Sequence, residues 1–298
     1  STRDPARSAI LDHHSLAETI MNEQPGRLWV VATPIGNLDD LSKRAAEILG
    51  TVGLIAAEDT RHSGALLARI GSRAPTVALH EHNEREQVAR LIEGLRQGGD
   101  VALVSDAGTP LISDPGFRLV RAAREAGITV SPVPGPCAAI AALSVAGLPS
   151  DRFVFEGFLA AKASARRERL QQLAAESRTL IFYESSHRIL EAVRDMAMVF
   201  GEQRHAVVAR ELTKVFETIL SGSLIELVER IDADPNQQRG EFVILVAGAS
   251  GEEADATLAE GRRVFALLCA EMAPARAARM AAAITGAPRK RLYEATGD

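Results

Sequence analysis

The stretch that decides the fold is VSDAGTPLISDPG, residues 104–116. It follows the apolar run 101–104, which has the length and composition of a buried strand, and it precedes residues 117–120, which open a predicted helix. Residues 106–116 contain two Gly, two Pro and two Asp. Gly lets a backbone approach a ligand closely, Pro stiffens the loop, and Asp supplies hydrogen-bond acceptors. A loop of this composition at the carboxyl end of an α/β strand predicts a ligand-binding site.

A short apolar strand followed by a polar turn and a helix recurs on both sides of this loop. After the first strand, apolar residues at spacings of three and four predict a helix over residues 38–49, capped by Asn37 or Asp39. An Ala-rich helix is predicted at residues 137–146. This alternation is typical of a mostly parallel sheet surrounded by helices. The predicted strands of this half are residues 28–33, 52–57, 76–79, 101–104 and 128–133.

The second half of the chain predicts a mixed sheet. Only residues 213–216 separate two of its apolar segments, which is too short for a helical crossover, so those two strands are expected to form an antiparallel hairpin. The predicted strands are residues 153–158, 179–183, 206–212, 217–220 and 242–246. The predicted helices are residues 165–175, 187–200 and 224–231.

The composition divides the chain into four parts. The predicted parts are an extension expected to be disordered at 1–26, an α/β domain at 27–147, a second α/β domain at 148–250 and a basic helical extension at 251–298. The fold class is therefore α/β, with a parallel sheet, then a mixed sheet, and a small C-terminal helical unit.

The two terminal parts differ in their sequence patterns. The N-terminal extension shows no strand pattern and no secretory-signal core, and Met21 is a candidate translation start, which leaves open whether residues 1–20 are native. The C-terminal extension predicts an acidic connector at 252–255. The three short helices predicted after it are residues 258–270, 274–284 and 287–295.

Length, charge and cysteine content limit the class of protein. The chain has 298 residues and 46% hydrophobic residues, which is ordinary for a globular protein with a sizeable core. No apolar run reaches the roughly 18 residues of a membrane span. Two cysteines, Cys137 and Cys269, cannot form a disulfide framework, and this favours a reducing cytoplasm. The net charge of −5 excludes a protein that is basic overall, so any nucleic-acid contact must use local patches.

The common catalytic and nucleotide-binding motifs are absent from the sequence. There is no G-x-G-x-x-G after a strand, no Walker A lysine motif and no G-x-S-x-G nucleophile elbow. His80 and His82 alternate as metal ligands on a strand do, but no further Cys/His cluster completes a site, so a polar strand end is the favoured interpretation. Residues 185–187, Ser-Ser-His, resemble a nucleophile next to a base, yet a helix cap is the more common use of such residues.

Several polar or Gly/Pro-rich segments follow predicted parallel strands. They are expected to converge, because the carboxyl ends of parallel strands meet at one edge of a sheet. This convergence favours a functional site over a set of structural turns. The segments are residues 33–37, 58–62, 80–84, 105–116 and 134–136.

Eight motifs in one order resemble the tetrapyrrole methylase superfamily, and within it the branch that methylates ribosomal RNA of the small subunit. Each motif alone is weak, and the ordered set is specific. The resemblance covers residues 28–247, and the basic tail resembles that branch's C-terminal helical extension. The motifs are TPIGNL (33–38), AEDTR (57–61), LHEHNE (79–84), SDAGTP (105–110), PGPCAA (134–139), FYESSHR (182–188), ARELTK (209–214) and GEF (240–242).

The resemblance implies transfer of a methyl group from S-adenosylmethionine to the 2′-hydroxyl of a cytidine in the decoding region of 16S rRNA. It also implies two α/β domains with the cofactor held between them, the small ribosomal subunit as partner, and commonly a homodimer. Relatives that act on tetrapyrroles carry Gly-Gly-Asp-Pro where this chain has Ala107-Gly108-Thr109-Pro110. This difference favours an RNA acceptor.

The resemblance also assigns cofactor-binding residues. Small residues near 107–108 would let backbone groups approach the cofactor, and Tyr183, Leu212 and Phe242 would enclose its methionine and adenine parts. The full set of expected cofactor residues is Pro34, Asp106, Ala107, Gly108, Thr109, Ile112, Ala138, Ala139, Tyr183, Leu212 and Phe242.

The ribose hydroxyl is a weak acid, so the reaction calls for a general base within hydrogen-bond reach. Glu58 and Asp59 are the first candidates, because they end a strand beside Arg61, a natural phosphate ligand. Four further residues at the predicted edge stay open as alternatives: His80, Glu84, Glu211 and Lys214. The expected RNA-binding residues are Arg61, His80, Glu84, Lys214, Arg276, Arg279, Arg289, Lys290 and Arg291.

Two other functions remain open on the sequence alone. One is a methyltransferase that acts on a tetrapyrrole or another small acceptor. The other is a non-catalytic, RNA-binding ribosome-assembly factor. A second basic cluster, residues 162–169, is interpreted either as a solvated helix face or as an RNA contact.

Overall fold

The computed structural model describes residues 24–80 and 83–293 of the chain. Within it the chain forms two compact units. Unit one consists of the described residues up to Val31, Ser42–Asp106 and Asp114–Pro134. Unit two consists of Ala32–Leu41, Ala107–Ser113 and the residues from Gly135 onward. Most of the predicted extension, residues 1–23, lies outside the described residues, and the predicted domain boundaries remain a prediction.

Unit one contains a five-stranded parallel sheet in the order β3-β2-β4-β1-β5, as the sequence pattern predicts. Its central strand β4 is buried along its whole length, which explains its unbroken run of apolar residues. The strands are β1 Leu28–Val31, β2 Leu54–Ala57, β3 Thr76–Ala78, β4 Val101–Val104 and β5 Val130–Val133.

Four helices cover this sheet, and the first begins later than predicted. Asn37 caps a short 3₁₀ turn at Leu38–Asp40, and Leu41 is then extended, which interrupts the helical pattern. Ser42 caps the α-helix itself by accepting a hydrogen bond from the amide of Ala45 at 3.1 Å. The predicted start at residue 38 is therefore wrong by five residues. The helices are α1 Lys43–Thr51, α2 Thr60–Arg69, α3 Glu84–Arg96 and α4 Phe117–Glu125.

Unit two contains a five-stranded mixed sheet in the order β6-β7-β10-β8-β9. Only β6 and β7 run parallel, and the predicted hairpin of β8 and β9 is confirmed as antiparallel. The sheet carries one apolar cluster on each face, because successive side chains of a strand alternate between faces. The strands are β6 Phe153–Phe158, β7 Thr179–Ser185, β8 His205–Arg210, β9 Thr218–Ser223 and β10 Glu241–Val246.

The helices of this sheet correct one interpretation of the sequence. The predicted Ser/His cap is wrong, because β7 continues to Ser185 and the next helix begins at Ile189. Its N-cap residue, Arg188, makes no side-chain cap bond. The helices are α5 Ala138–Val145, α6 Ala163–Leu173, α7 Ile189–Phe200 and α8 Leu224–Ala233.

Three further helices, α9 Gly251–Cys269, α10 Pro274–Thr285 and α11 Arg289–Tyr293, end the described chain. The predicted acidic connector is instead the first part of α9. Small residues let these helices pack closely: a Cβ at Gly261 would collide with the side chain of Ala287. Leu258 and Phe265 fill the small core with three alanines of α10. Among the described residues, no helix is long and apolar enough to span a bilayer.

Candidate functional site

In unit two, residues 107–113 form a loop fixed by backbone hydrogen bonds. Thr33 and Gly108 exchange two of them: the Thr33 amide donates to the Gly108 carbonyl at 2.9 Å, and the reverse bond measures 3.1 Å. The Thr109 hydroxyl donates to the Pro136 carbonyl at 2.9 Å. Gly108 has a φ of +84°, which glycine adopts without strain. The loop therefore holds together three of the motifs found in the sequence.

The far end of this loop contains two residues in an unfavourable backbone conformation. Leu111 has a φ of +74° and Ser113 a φ of +68°, and such left-handed conformations cost energy in residues with a side chain. Ile112 lies between them, and its apolar side chain is exposed. Strained backbone with an exposed apolar side chain is common at ligand-binding sites.

Helix α5 begins next to Tyr183. Its N-cap residue, Cys137, forms no side-chain cap bond, and the amide of Ala139 donates to the Tyr183 hydroxyl at 3.1 Å. The Tyr183 ring meets Phe155 and Phe158 edge-on, with centroid distances of 5.0 and 5.6 Å. The tyrosine is thus held in one orientation by its ring contacts and its hydroxyl group.

The structure brings most of the expected cofactor residues of unit two together. Ala138, Ala139, Tyr183 and Leu212 share one apolar cluster. Phe242 does not join them, since its side chain packs in the cluster on the opposite face of the sheet. Its neighbour on β10, which pairs with Tyr183 across the strands, lies on the Tyr183 face instead. Alternation of side chains along a strand separates these two positions.

Lys214 follows β8 and is held by two carboxylates. Its Nζ lies 2.8 Å from Glu211 Oε1 and 2.8 Å from Glu241 Oε2. Burial lowers the pKa of Lys214, but hydrogen bonds with the two carboxylates outweigh this effect and raise that pKa above its usual value. A Cβ at Gly36 would collide with the Lys214 stem, so the TPIGNL segment packs directly on it. Lys214 is therefore a fixed cation at neutral pH and a poor general base.

In unit one, Glu58 and Asp59 follow β2 as expected. Asp59 caps α2 by accepting from the Arg61 amide at 2.8 Å, and its two oxygens also accept from the Arg61 guanidinium at 3.2 and 2.8 Å. The side-chain hydrogen bonds with Arg61 hold the pKa of the Asp59 carboxyl well below its usual range. Asp59 is consequently a weak proton acceptor, and Arg61 is engaged before any phosphate arrives.

Asp106 and Asp114 flank the glycine-rich loop and also belong to unit one. Asp106 accepts a hydrogen bond from the amide of Asp59 at 3.0 Å, which ties the ends of β2 and β4 together. Burial raises the pKa of Asp114 to about 6, the negative charge of Asp106 raises it further, and a hydrogen bond with Ser105 partly offsets both. The sequence analysis did not single out Asp114, because burial is invisible in a sequence.

Two other residues expected at this edge have local partners. His80 donates its amide to the Asn83 side chain at 2.9 Å. Glu84 is buried, accepts from the Arg118 amide at 3.2 Å and pairs with the Arg118 guanidinium at 3.5 Å. Glu84 therefore connects α3 to α4. His82 lies outside the described residues, and the described chain contains no group of three potential metal ligands.

The two basic clusters differ in their pairing. In the cluster at 162–169, Arg166 and Arg167 both bind Asp195, and Arg169 binds Glu156. In the C-terminal helices all five cations are exposed, and none forms an ion pair with a described residue. The C-terminal cluster is thus the one available to an anionic partner. Its members are Arg276, Arg279, Arg289, Lys290 and Arg291.

We expect Asp114→Asn to stabilise the protein at pH 7.5 but not near pH 4. The folded-state pKa of about 6 exceeds the ordinary value of 3.8, so wild-type stability falls as the pH rises from 4 through 6. Asn carries no charge and removes this loss, which solvent screening limits to about 1 kcal/mol for a half-buried group. Urea unfolding at both pH values measures the difference, with the exposed Asp151→Asn as control. The same stability change at both pH values would contradict the assignment.

The comparisons with known proteins agree with the geometry. The profile of the tetrapyrrole (corrin/porphyrin) methylases matches residues 27–228, and that of the RsmI C-terminal HTH domain matches residues 249–296. The chain is 62% identical to "Ribosomal RNA small subunit methyltransferase I" of Xylella fastidiosa strain Temecula1 over 90% of this chain and 98% of that protein. Proteins of the same name from Pseudomonas aeruginosa PAO1 and Escherichia coli O157:H7 are 60% and 53% identical, over 90% of this chain and 96% and 94% of theirs.

Solved structures show the same fold in more distant proteins. Uroporphyrin-III-C-methyltransferase from Thermus thermophilus aligns with a TM-score of 0.52 and 21% identity, over 74% of this chain and 94% of that one. Cobalt precorrin-4 methyltransferase aligns with a TM-score of 0.56 and 18% identity, over 74% and 94%. At these identities the likeness concerns the fold alone.

Proposed function

The chain belongs to the tetrapyrrole methylase family, and from this premise we propose that it is an S-adenosylmethionine-dependent methyltransferase of ribosomal RNA. The acceptor we propose is the 2′-hydroxyl of a cytidine in the decoding region of 16S rRNA. The observation that carries the proposal is the identity of 53–62%, over 90% of the chain, with proteins named for this substrate. The unpaired basic surface of the C-terminal helices supports an RNA acceptor.

The residues of unit two fit the proposed cofactor. Gly108 brings backbone groups to the surface of the fixed loop, and Ile112 offers an exposed apolar contact. The small side chains of Ala138 and Ala139 leave room at the start of α5, where no side chain caps the helix. Helix N-termini suit carboxylate groups, and Tyr183 and Leu212 suit an apolar or aromatic part. When bound, the cofactor would supply an electrophilic methyl group.

Transfer forms an oxygen–carbon bond at the ribose and breaks a sulfur–carbon bond, and the hydroxyl proton passes to a base. We assign the base to Glu58, because the hydrogen bonds with Arg61 make Asp59 a poor acceptor. Asp59 instead orients Arg61 for a phosphate of the RNA. Asp106 supports this arrangement by fixing the Asp59 amide. The chain therefore supplies alignment and proton transfer.

The proposed setting is the cytoplasm, with the small ribosomal subunit as substrate and a homodimer as the active form. Methylation of unmodified 30S particles with labelled cofactor, followed by mapping of the modified nucleotide, tests the function. We expect label at one cytidine ribose. Label in uroporphyrinogen but not in 30S particles would support a tetrapyrrole acceptor, and cofactor binding without any turnover would support a non-catalytic assembly factor.

We expect Arg276→Ala/Arg279→Ala to weaken binding to 30S particles and leave cofactor affinity unchanged. Each lost phosphate contact lowers the slope of log affinity against log salt by about 1, so the slope should fall by about 2 for the pair. Binding measured across a salt series checks this. The matched control is Arg85→Ala/Arg90→Ala, which removes the same charge from the exposed side of α3. An equal slope in both variants would exclude a specific role of the C-terminal helices.

A further inference from the structure

The turn between β8 and β9 exposes two adjacent apolar side chains. We call residues 211–217 the hairpin tip. Val215 is 93% exposed and Phe216 is 71% exposed, which makes them the two most exposed large apolar side chains among the described residues. Single exposed apolar residues are ordinary on protein surfaces, but a contiguous exposed pair suggests a binding role.

The hairpin tip is fixed from within. The Arg210 guanidinium donates to the Phe216 carbonyl at 3.0 Å, and the Thr213 amide donates to the Glu217 carboxylate at 2.7 Å. The Lys214 amide binds the Glu211 carbonyl at 3.0 Å, in addition to the ion pairs of its ammonium group. These bonds hold the backbone at Phe216 while its ring stays in solvent. A fixed exposed ring loses little conformational entropy when it binds.

Part of this order is paid for by backbone strain. Glu211 has a φ of +52° and Thr213 a φ of +64°, both in the left-handed region that residues with side chains rarely adopt. Relaxed alternatives exist for a turn of this length, so the strain is retained in favour of one tip shape. Strain of this kind is found where a segment is shaped for a partner.

We propose that Phe216 stacks on an unpaired base of the RNA substrate, with Val215 contacting the same nucleotide. This inference rests on the proposed function. Specific RNA recognition commonly uses aromatic side chains on which unstacked bases lie. The tip does not repel a phosphate chain strongly, because Glu211, Glu217 and Glu241 are balanced by Arg210, Lys214 and Arg239.

The size of the exposed surface favours a nucleotide over a second copy of the chain. A stable protein interface needs about 800 Å² from each partner. An aromatic side chain offers about 150–250 Å² in total, so Phe216 with one valine falls well short of that area. A single base, in contrast, is covered by one ring.

The test compares Phe216→Ala, Phe216→Leu and Phe216→Trp in the full-length protein. We expect Phe216→Ala to raise the KM for unmodified 30S particles about 5- to 100-fold, as the loss of one stacked base does, with unchanged cofactor affinity. Phe216→Leu should resemble Phe216→Ala, and Phe216→Trp should restore the KM. The introduced indole should lose fluorescence on binding 30S particles, against the background of the single native tryptophan, Trp29.

A matched control and the mass of the protein separate the outcomes. Met198→Ala removes another exposed apolar side chain of unit two and should leave KM unchanged. An inactive wild-type protein would remove the proposed function together with this inference. An active wild type with unaltered Phe216→Ala, or with Phe216→Leu equal to wild type, would overturn the stacking alone. A change from dimer to monomer in Phe216→Ala, seen by light scattering, would assign the tip to self-association and overturn it as well.

Discussion

Replacing Glu58 with Gln is expected to lower kcat for methylation of 30S particles by about 100- to 10,000-fold, the usual contribution of a general base. Gln keeps the size and hydrogen-bonding capacity of the side chain but cannot accept the ribose proton. The KM for the RNA and the affinity for the cofactor should change little. Single-turnover kinetics with labelled cofactor measures the chemical step directly.

Two neighbouring carboxylates serve as controls for this variant. Asp59→Asn should disturb Arg61 and therefore raise the KM for the RNA more than it lowers kcat, because Asp59 already has a depressed pKa. Asp114 has a pKa of about 6, which suits a base at neutral pH, so Asp114→Asn is the critical comparison. Full activity of Glu58→Gln with a large loss of kcat in Asp114→Asn would transfer the role to Asp114.

Replacing Asp195 with Ala is expected to lower the free energy of unfolding by about 3–5 kcal/mol. Asp195 is 3% exposed and accepts from Arg166, itself 1% exposed, at 2.7 Å and from Arg167 at 2.6 Å. Removing the carboxylate leaves the Arg166 guanidinium buried without its main counter-ion. Urea unfolding followed by circular dichroism measures the loss.

The solvent-exposed pair of Arg194 and Asp232 is the matched control, at 2.9 Å. Asp232→Ala should cost less than about 1 kcal/mol, because water screens exposed ion pairs. The double variant Arg166→Met/Asp195→Leu should regain most of the stability lost in Asp195→Ala, since apolar residues of similar size replace buried pairs well. Equal losses in Asp195→Ala and Asp232→Ala would show that burial of the pair has no energetic consequence.

The sequence predicted the strands of both sheets well because their signals are local. The buried strand at residues 101–104 is apolar throughout, and the hairpin of β8 and β9 follows from a loop too short for a helix. Helix starts were predicted less well. A hydrogen bond from the Ala45 amide to Ser42, rather than the apolar pattern, decides where α1 begins.

The candidate site was predicted by motif, but the roles within it were not. Phe242 lies in the right motif, yet strand alternation places its side chain on the other face from Tyr183. Asp106 lies in the predicted cofactor loop, yet it binds the Asp59 amide. Each role depends on a partner distant in the chain, and a single sequence does not specify such pairs.

The sequence by itself determined the α/β class, the order of most elements, the ordered motifs of the family and the acid-free basic tail. These features follow from periodicity, turn chemistry and charge, which act between near neighbours. Only the tertiary structure decided that Arg166 is a buried ion-pair partner, that Asp114 holds a proton near pH 6, and that Phe216 stands exposed on a fixed tip. Burial and long-range pairing set the dielectric surroundings of a side chain, and these exist only once the chain has folded.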